Sequence, residues 1–148
     1  MRVEAARELL AARADVWSFL AEPYHLADWW PTITSVRPDS RGFREAARWE
    51  VVGPRSPTLF HKANASGLAI VKTIELHERV IWSLTADRLD LEVRLRALAP
   101  DRTLATVAIE GRWRPEAMGR PRALPKAAVG RLYELVQTAA TLSAGAQT

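Results

Sequence analysis

The side chains best suited to proton transfer near neutral pH in this sequence are those of three histidines. They are His25, His61 and His77, and an imidazole with its ordinary pKa of ~6.5 can act there as a general acid or base. His61 is the candidate catalytic base if it faces a cavity, and the competing interpretation is a histidine in a loop or at a strand edge. His77, beside Glu78, is interpreted as a turn residue. No two histidines have metal-ligand spacing, so we predict no metal site.

Cysteine and two common catalytic motifs are missing from the sequence. The chain has 148 residues and no cysteine, which excludes disulfides, thiolate metal sites and a cysteine nucleophile. It contains neither a glycine-rich phosphate loop nor a Gly-x-Ser-x-Gly elbow. We therefore predict no cofactor, and His61 is the best catalytic candidate.

Tryptophan is unusually frequent, with six residues in the chain. Three fall in predicted short helices and three at inward positions of predicted strands: Trp17, Trp29, Trp30, Trp49, Trp82 and Trp113. A wide indole can line an apolar pocket while its N–H orients a polar ligand atom, and simple filling of the core is the alternative for each ring. Because Trp29 and Trp30 are adjacent, we predict that they point in different directions, with one at the surface near the pocket mouth.

Positive charge is concentrated in residues 112–126, mostly ahead of the predicted long helix. The cluster consists of Arg112, Arg114, Arg120, Arg122 and Lys126. It is either a solvated basic loop or a guide for an anionic ligand such as a fatty-acid carboxylate. Elsewhere the basic residues are spread along the chain beside acids, as in Asp87-Arg88. The net charge is +4, but the basic residues do not form the concentrated stripe of a nucleic-acid-binding surface. No nucleic-acid partner is therefore predicted.

A sheet must position these residues. Residues 89–96 alternate apolar and charged side chains, which predicts a strand with one buried and one exposed face. The same reasoning, with turn residues between the segments, predicts strands over 2–10, 47–51, 68–76, 80–84 and 103–114. Two short helices are predicted after the first strand, over 12–21 and from Pro23 to Pro31.

A long helix must cover the sheet. Residues 115–125 contain three prolines and a glycine, which predicts a loop. From Lys126 to Ser143 apolar residues recur every three or four positions, which predicts a helix, and residues 144–148 are expected to fray. The predicted fold class is α+β, with a curved antiparallel sheet of about six to seven strands wrapped round this helix. We expect one domain over residues 1–148.

Two sequence segments resemble a known superfamily. Residues 14–20 (Ala-Asp-Val-Trp-Ser-Phe-Leu) and 25–31 (His-Leu-Ala-Asp-Trp-Trp-Pro) are similar to the START-like (SRPBCC) superfamily, in its polyketide cyclase/dehydrase and lipid-transport branch. Arg41-Gly42 with Ala47-Arg48-Trp49 resembles the strand pair that follows. Ala46 stands where a glycine is usual and Arg13 where a helix-opening proline is usual, which affects turn geometry rather than chemistry.

The resemblance implies a helix-grip fold with a cavity between the sheet and the long helix. Members bind lipids, sterols, hormones or polyketides, and some are cyclases or dehydratases, so the fold alone assigns no reaction. The first hypothesis is a binding protein for a small hydrophobic or aromatic molecule. The second is a cyclase or dehydratase-like enzyme with an acid/base such as His61 in the cavity. The third is a protein-interaction module without a ligand.

The predicted ligand-binding residues combine tryptophans, inward strand positions and the apolar face of the long helix. They are Trp30, Trp49, Trp82, Val93, Ile109, Trp113, Leu132, Tyr133 and Val136. The first residues lack the apolar core of a signal peptide, and no segment reaches the length of a membrane span. We expect a cytoplasmic protein that is a monomer or a homodimer.

Overall fold

Alternation of apolar and polar residues produces strands that bury one face and expose the other. The structure is a computed structural model, and it describes residues 1–54, 63, 65–111 and 119–146. Its elements are β1 (Arg2–Leu9), α1 (Arg13–Ala21), α2 (Leu26–Trp29), β2 (Ser35–Arg37), β3 (Arg48–Val52), β4 (Ser66–Glu75), β5 (Arg79–Leu84), β6 (Leu89–Ala99), β7 (Arg102–Gly111) and α3 (Gly119–Ala146). A 3₁₀ turn, Pro23–His25, joins α1 to α2.

The strands form one seven-stranded antiparallel sheet in the order β1-β7-β6-β5-β4-β3-β2. Strands β2 to β7 follow one another as a meander, and β1 pairs with β7 at the far edge. Helix α3 lies against β1 and β7 and also contacts α1 and α2. The predicted α+β helix-grip architecture, with its two short helices after the first strand, is confirmed.

The inner face of the sheet is apolar in register across neighbouring strands. Trp82 of β5 faces Leu91 of β6, and Leu91 in turn faces Ile109 of β7. All three side chains are fully buried. The strict alternation of residues 89–96 is what places these side chains on one face, because a shift of one residue would reverse them.

Helix α3 begins earlier than the sequence predicts. It starts at Gly119 rather than near Lys126, so Pro121 and Pro125 lie inside it. Pro121 is the third helical residue, where a backbone N–H has no helical acceptor and its loss is tolerated. Pro125 removes one further hydrogen bond, to the carbonyl of residue 121. The predicted loop over residues 115–125 is therefore wrong for residues 119–125, which are helical.

The outer face of the sheet carries a network of ion pairs centred on Glu92. Its carboxylate forms ion pairs with Arg2, Arg79 and Arg94, the last two at 3.3 Å. Arg94 also pairs with Glu4 at 3.2 Å. The hydrogen bond to Glu92 is the main cause that raises the pKa of Arg2 above its usual value. The alternation predicts an exposed Glu92, yet its side chain is only 10% exposed because arginines cover it.

Ala46 occupies a backbone conformation that favours glycine. Its φ is 72°, and the left-handed region costs a residue with a Cβ about 1–2 kcal/mol. After the greater entropy of glycine in the unfolded chain is subtracted, Ala46→Gly is expected to stabilise the protein by about 0.5–1 kcal/mol. Differential scanning calorimetry should show a Tm increase of about 1–4 °C.

The neighbouring substitution is the control for Ala46→Gly. Ala47 is fully buried and has a φ outside the left-handed region, so Ala47→Gly should lower stability by about 1 kcal/mol through the lost methyl group and added chain entropy. If both variants lowered Tm equally, strain at Ala46 would be disproved.

Candidate functional site: an aromatic cluster on the inner face

Four tryptophans meet on the inner face of the sheet. Trp49 of β3 and Trp82 of β5 have ring centroids 6.0 Å apart. Trp29 of α2 lies 5.8 Å from Trp82, and Trp30 lies 6.2 Å from Trp29. All four side chains are 0% exposed. The centroid distances and tilts are those of favourable aromatic packing, so the rings form one continuous cluster.

Both Trp29 and Trp30 are buried, which corrects the prediction that one of them lies near the surface. Helix α2 ends at Trp29, and Trp30 follows with φ −93° and ψ 119°, an extended conformation. The change from helical to extended backbone turns the second ring towards the same interior as the first. The prediction failed because it assumed that one helix continues through both residues.

A loop between β2 and β3 closes the cluster. Phe43 contacts Trp17, Trp49 and Trp82 at centroid distances of 5.6, 6.3 and 6.4 Å. The Gly42 carbonyl accepts a hydrogen bond from Trp49 Nε1 at 2.8 Å. Sequence analysis did not identify Phe43 as a site residue, because nothing in an irregular loop predicts the direction of a ring.

The Asp39 side chain fixes the path of the loop between β2 and β3. The Asp39 carboxylate accepts hydrogen bonds from the backbone N–H groups of Arg48 at 3.0 Å and Arg41 at 3.1 Å. These bonds, with that from Arg48 as the larger cause, hold the pKa of Asp39 below its usual value. The loop is therefore tied to β3 at the point where it delivers Phe43 and the Gly42 carbonyl to the cluster.

Three of the four clustered indoles keep an N–H donor without a hydrogen-bond acceptor. The Nε1 atoms of Trp29, Trp30 and Trp82 are buried and unpaired, whereas that of Trp49 is bonded. A buried donor with no partner costs about 1–3 kcal/mol, and native proteins contain few of them. Because Trp29 contacts both other rings, the unpaired donors belong to adjacent side chains.

The other described residues of the predicted ligand site belong to the same core. Val93, Ile109, Leu132 and Val136 are buried in the same core as the tryptophans, and Tyr133 packs against it partly buried. The Arg7 guanidinium lies 3.8 Å from the centre of the Tyr133 ring, a cation–π contact between β1 and α3. The structure thus places eight of the nine predicted residues on or against this core, and their role in binding stays a prediction.

Two predicted features lie outside the described residues. The first is His61, the candidate base, and the second is the segment that contains Trp113 of the predicted ligand site and Arg112 and Arg114 of the basic cluster. Within the described part of that segment, Arg122 and Lys126 lie exposed in the first turns of α3.

The other two histidines have structural surroundings. His25 Nδ1 lies 2.7 Å from the Phe19 carbonyl, and its ring stacks on Phe19 at 4.1 Å. His77 has φ 62° in the turn between β4 and β5, as predicted, and its ring meets the edge of Trp17. Among the described residues, no group of three His, Cys, Asp or Glu side chains could hold a metal ion.

A buried polar pair was not predicted. The Thr32 hydroxyl donates to Asp87 Oδ2 at 2.9 Å, and both residues are buried. In the sequence, Asp87-Arg88 is simply an acidic residue beside a basic one. In the structure, Arg88 has φ 55° and is exposed, while Asp87 is turned inwards. Only the turn conformation between β5 and β6 separates the two side chains, and no sequence signal indicates it.

Two open clefts lie away from the aromatic cluster. One of about 500 Å³ is lined by arginines and glutamates, among them Glu75, Arg79 and Arg94. These side chains already take part in ion pairs across the strands. The buried unpaired donors therefore favour the inner aromatic cluster as the candidate site.

Comparison with solved structures identifies the fold. A START superfamily protein from Mycobacterium smegmatis matches with a TM-score of 0.63 at 18% identity, over 90% of this chain and 98% of that chain. A Thalictrum flavum norcoclaurine synthase point mutant, solved with a transition-state analogue, matches with a TM-score of 0.65 at 15% identity, over 93% and 94% of the two chains. DynU16, from the dynemicin biosynthetic locus, matches with a TM-score of 0.66 at 18% identity, over 93% of this chain and 48% of that chain.

The fold of this chain is therefore that of the START-like helix-grip proteins, as the sequence resemblance implied. No protein-family model and no curated protein matches the sequence, so the structural likeness defines the fold and leaves the ligand open. No helix in the described part of the chain combines the length and the apolar character of a membrane span.

Proposed function

We propose that this protein binds a small hydrophobic or aromatic molecule, lipid- or polyketide-like, between the sheet and α3. The observation that carries the proposal is the set of three buried indole N–H groups without an acceptor. A ligand oxygen beside these donors would remove the cost of leaving them unpaired. The structural neighbours support the choice, since one of them was solved with a small molecule and another belongs to a biosynthetic locus.

The chemistry of the interior suits such a ligand. Aromatic rings supply most of the affinity through apolar contact, at roughly 25 cal/mol per Å² of apolar surface buried before ordering costs. The few polar groups then orient the molecule, as is usual in small-molecule sites. Trp30, Trp49 and Trp82 form the aromatic side of the proposed site, and Leu132, Tyr133 and Val136 of α3 form the opposite side.

Native mass spectrometry of the purified protein tests this function. We expect an added mass that is lost on denaturation and is reduced in Trp82→Phe, which keeps a ring but removes one donor. Arg96→Gln, an exposed outer-face change, is the matched control and should retain the added mass. A protein without added mass, and without a thermal shift across fatty acids, sterols and aromatic polyketides, would contradict the proposal and favour the protein-interaction alternative.

A cyclase or dehydratase-like enzyme is the second candidate, and the buried Thr32–Asp87 pair favours it. A carboxyl group held by a hydroxyl at 2.9 Å inside the protein is a candidate acid/base for ring closure followed by loss of water. The same mass measurement separates the two functions. A bound molecule that loses water during incubation with the native protein, but not with Asp87→Asn, would identify the enzyme.

A further inference from the structure

Strand β1 forms one edge of the sheet, and half of its backbone groups have no partner. The Met1 ammonium donates to the Gly111 carbonyl at 2.9 Å, and the Gly111 N–H donates to the Met1 carbonyl at 3.1 Å. The register to β7 then continues without a shift to Leu9. Because hydrogen-bonded pairs alternate along an antiparallel ladder, odd-numbered residues of β1 bond to β7 and even-numbered residues direct their N–H and C=O groups away from it. Within the described part of the chain no hydrogen bond reaches the backbone groups of these even-numbered residues, which are Arg2, Glu4, Ala6 and Glu8.

The two edges of the sheet are built differently. At the opposite edge, β2 has three residues and is followed by Pro38, and a short edge strand that ends at a proline is protected against pairing with another chain. In contrast, β1 has eight residues, with no proline, glycine or lysine among them. Helix α3 contacts β1 through inward side chains such as Arg7, whose guanidinium lies over the Tyr133 ring. The hydrogen-bonding edge of β1 is therefore open to a further strand.

The charges along β1 select one register for pairing with a second copy of the chain. A two-fold axis brings the two strands together antiparallel, and only registers that set even residues opposite even residues join the free backbone groups. In one of these registers Arg2 faces Glu8 at both ends of the pair, which is favourable. Glu4 then faces Ala6, and every free group is paired. Sliding the strands by two residues sets Glu4 opposite Glu4 or opposite Glu8, which is repulsive, and a longer slide pairs at most half of the free groups.

We propose that two copies of this chain associate through antiparallel pairing of their β1 strands in this register, which joins their sheets into one of fourteen strands, seven from each copy. Main-chain hydrogen bonds supply the affinity and the charges set the register. Within each copy Arg2 pairs with Glu92 and Glu8 pairs with Arg102, so the outer-face ion pairs of the two copies become continuous. Pairing through β1 requires no ligand.

Sedimentation equilibrium of the full chain tests the association. One strand from each copy makes a small interface, so we expect a dimer at protein concentrations on the order of 100 μM. Ala6→Pro removes an N–H that makes no bond to β7, and the dimer loses two hydrogen bonds because each copy donates one. Its dissociation constant should rise at least about tenfold. Ala6→Ser keeps the N–H and a small side chain, so it is the matched control and should leave the dimer intact. A chain that stays monomeric, or a dimer that a folded Ala6→Pro variant does not weaken, would overturn the proposal.

Disulfide cross-linking reports the register independently, because the chain has no cysteine of its own. In the proposed register the two Ala5 residues face each other as a non-hydrogen-bonded pair, with Cα atoms about 4.5 Å apart, a separation that suits a disulfide. The Cα atoms of the two Ala6 residues are about 8–9 Å apart, which is too far for one. Ala5→Cys should therefore cross-link at least about tenfold faster than Ala6→Cys in air. Cross-linking of Ala6→Cys at an equal or higher rate, or of neither variant, would contradict the proposed pairing.

Discussion

The Trp82→Ala variant is expected to lose about 3–5 kcal/mol of unfolding free energy. Trp82 is fully buried and contacts Trp29, Trp49 and Phe43, which come from three different segments. Truncation removes the ring that joins the sheet to α2 and to the β2–β3 loop, and it leaves a cavity that these elements can only partly fill. Urea unfolding followed by far-ultraviolet circular dichroism measures the loss without relying on tryptophan fluorescence.

Trp82→Phe is the matched variant for this prediction. It retains an aromatic ring and removes a donor that has no acceptor in the protein, so we expect a loss of only about 1–2 kcal/mol. A loss below about 1 kcal/mol for Trp82→Ala would show that this ring does not hold the cluster together. It would then serve mainly as a wall of the binding site.

The second large effect is expected at Glu92. Arg79 and Arg94 face each other across β5 and β6, and like charges in that position repel. The Glu92 carboxylate lies within 3.3 Å of both and also pairs with Arg2. Glu92→Ala should therefore destabilise the protein by about 2–3 kcal/mol, less than a fully buried pair because the arginines keep contact with water.

Urea unfolding at low and high salt checks this second prediction. The loss in Glu92→Ala should decrease at high salt, because salt screens the arginine repulsion that remains. Glu50→Ala is the control, since Glu50 pairs with Arg37 at 3.9 Å on an exposed surface and its removal should change stability by less than about 0.5 kcal/mol. Similar losses in the two variants would refute a central role for Glu92.

The strands and the long helix were predictable because their patterns are local. In β6, alternation of apolar and charged residues determines which side chains face inwards, and the sheet register then aligns Leu91 with Trp82 and Ile109. The start of α3 was placed too late because the effect of a proline depends on its position in the helix. That position cannot be known until the first turn is located.

The same distinction between local pattern and tertiary structure applies to the residues of the candidate site. Hydrophobic periodicity by itself determined that Trp49, Trp82, Leu132 and Val136 are interior, because a strand or helix carries its side chains at a fixed period. Only the tertiary structure decided that Trp29 and Trp30 join the cluster, that Phe43 closes it and that Asp87 is buried against Thr32. Each of these depends on a change of backbone direction at a helix end, a loop or a turn, where distant segments meet and no sequence period reports which way a side chain points.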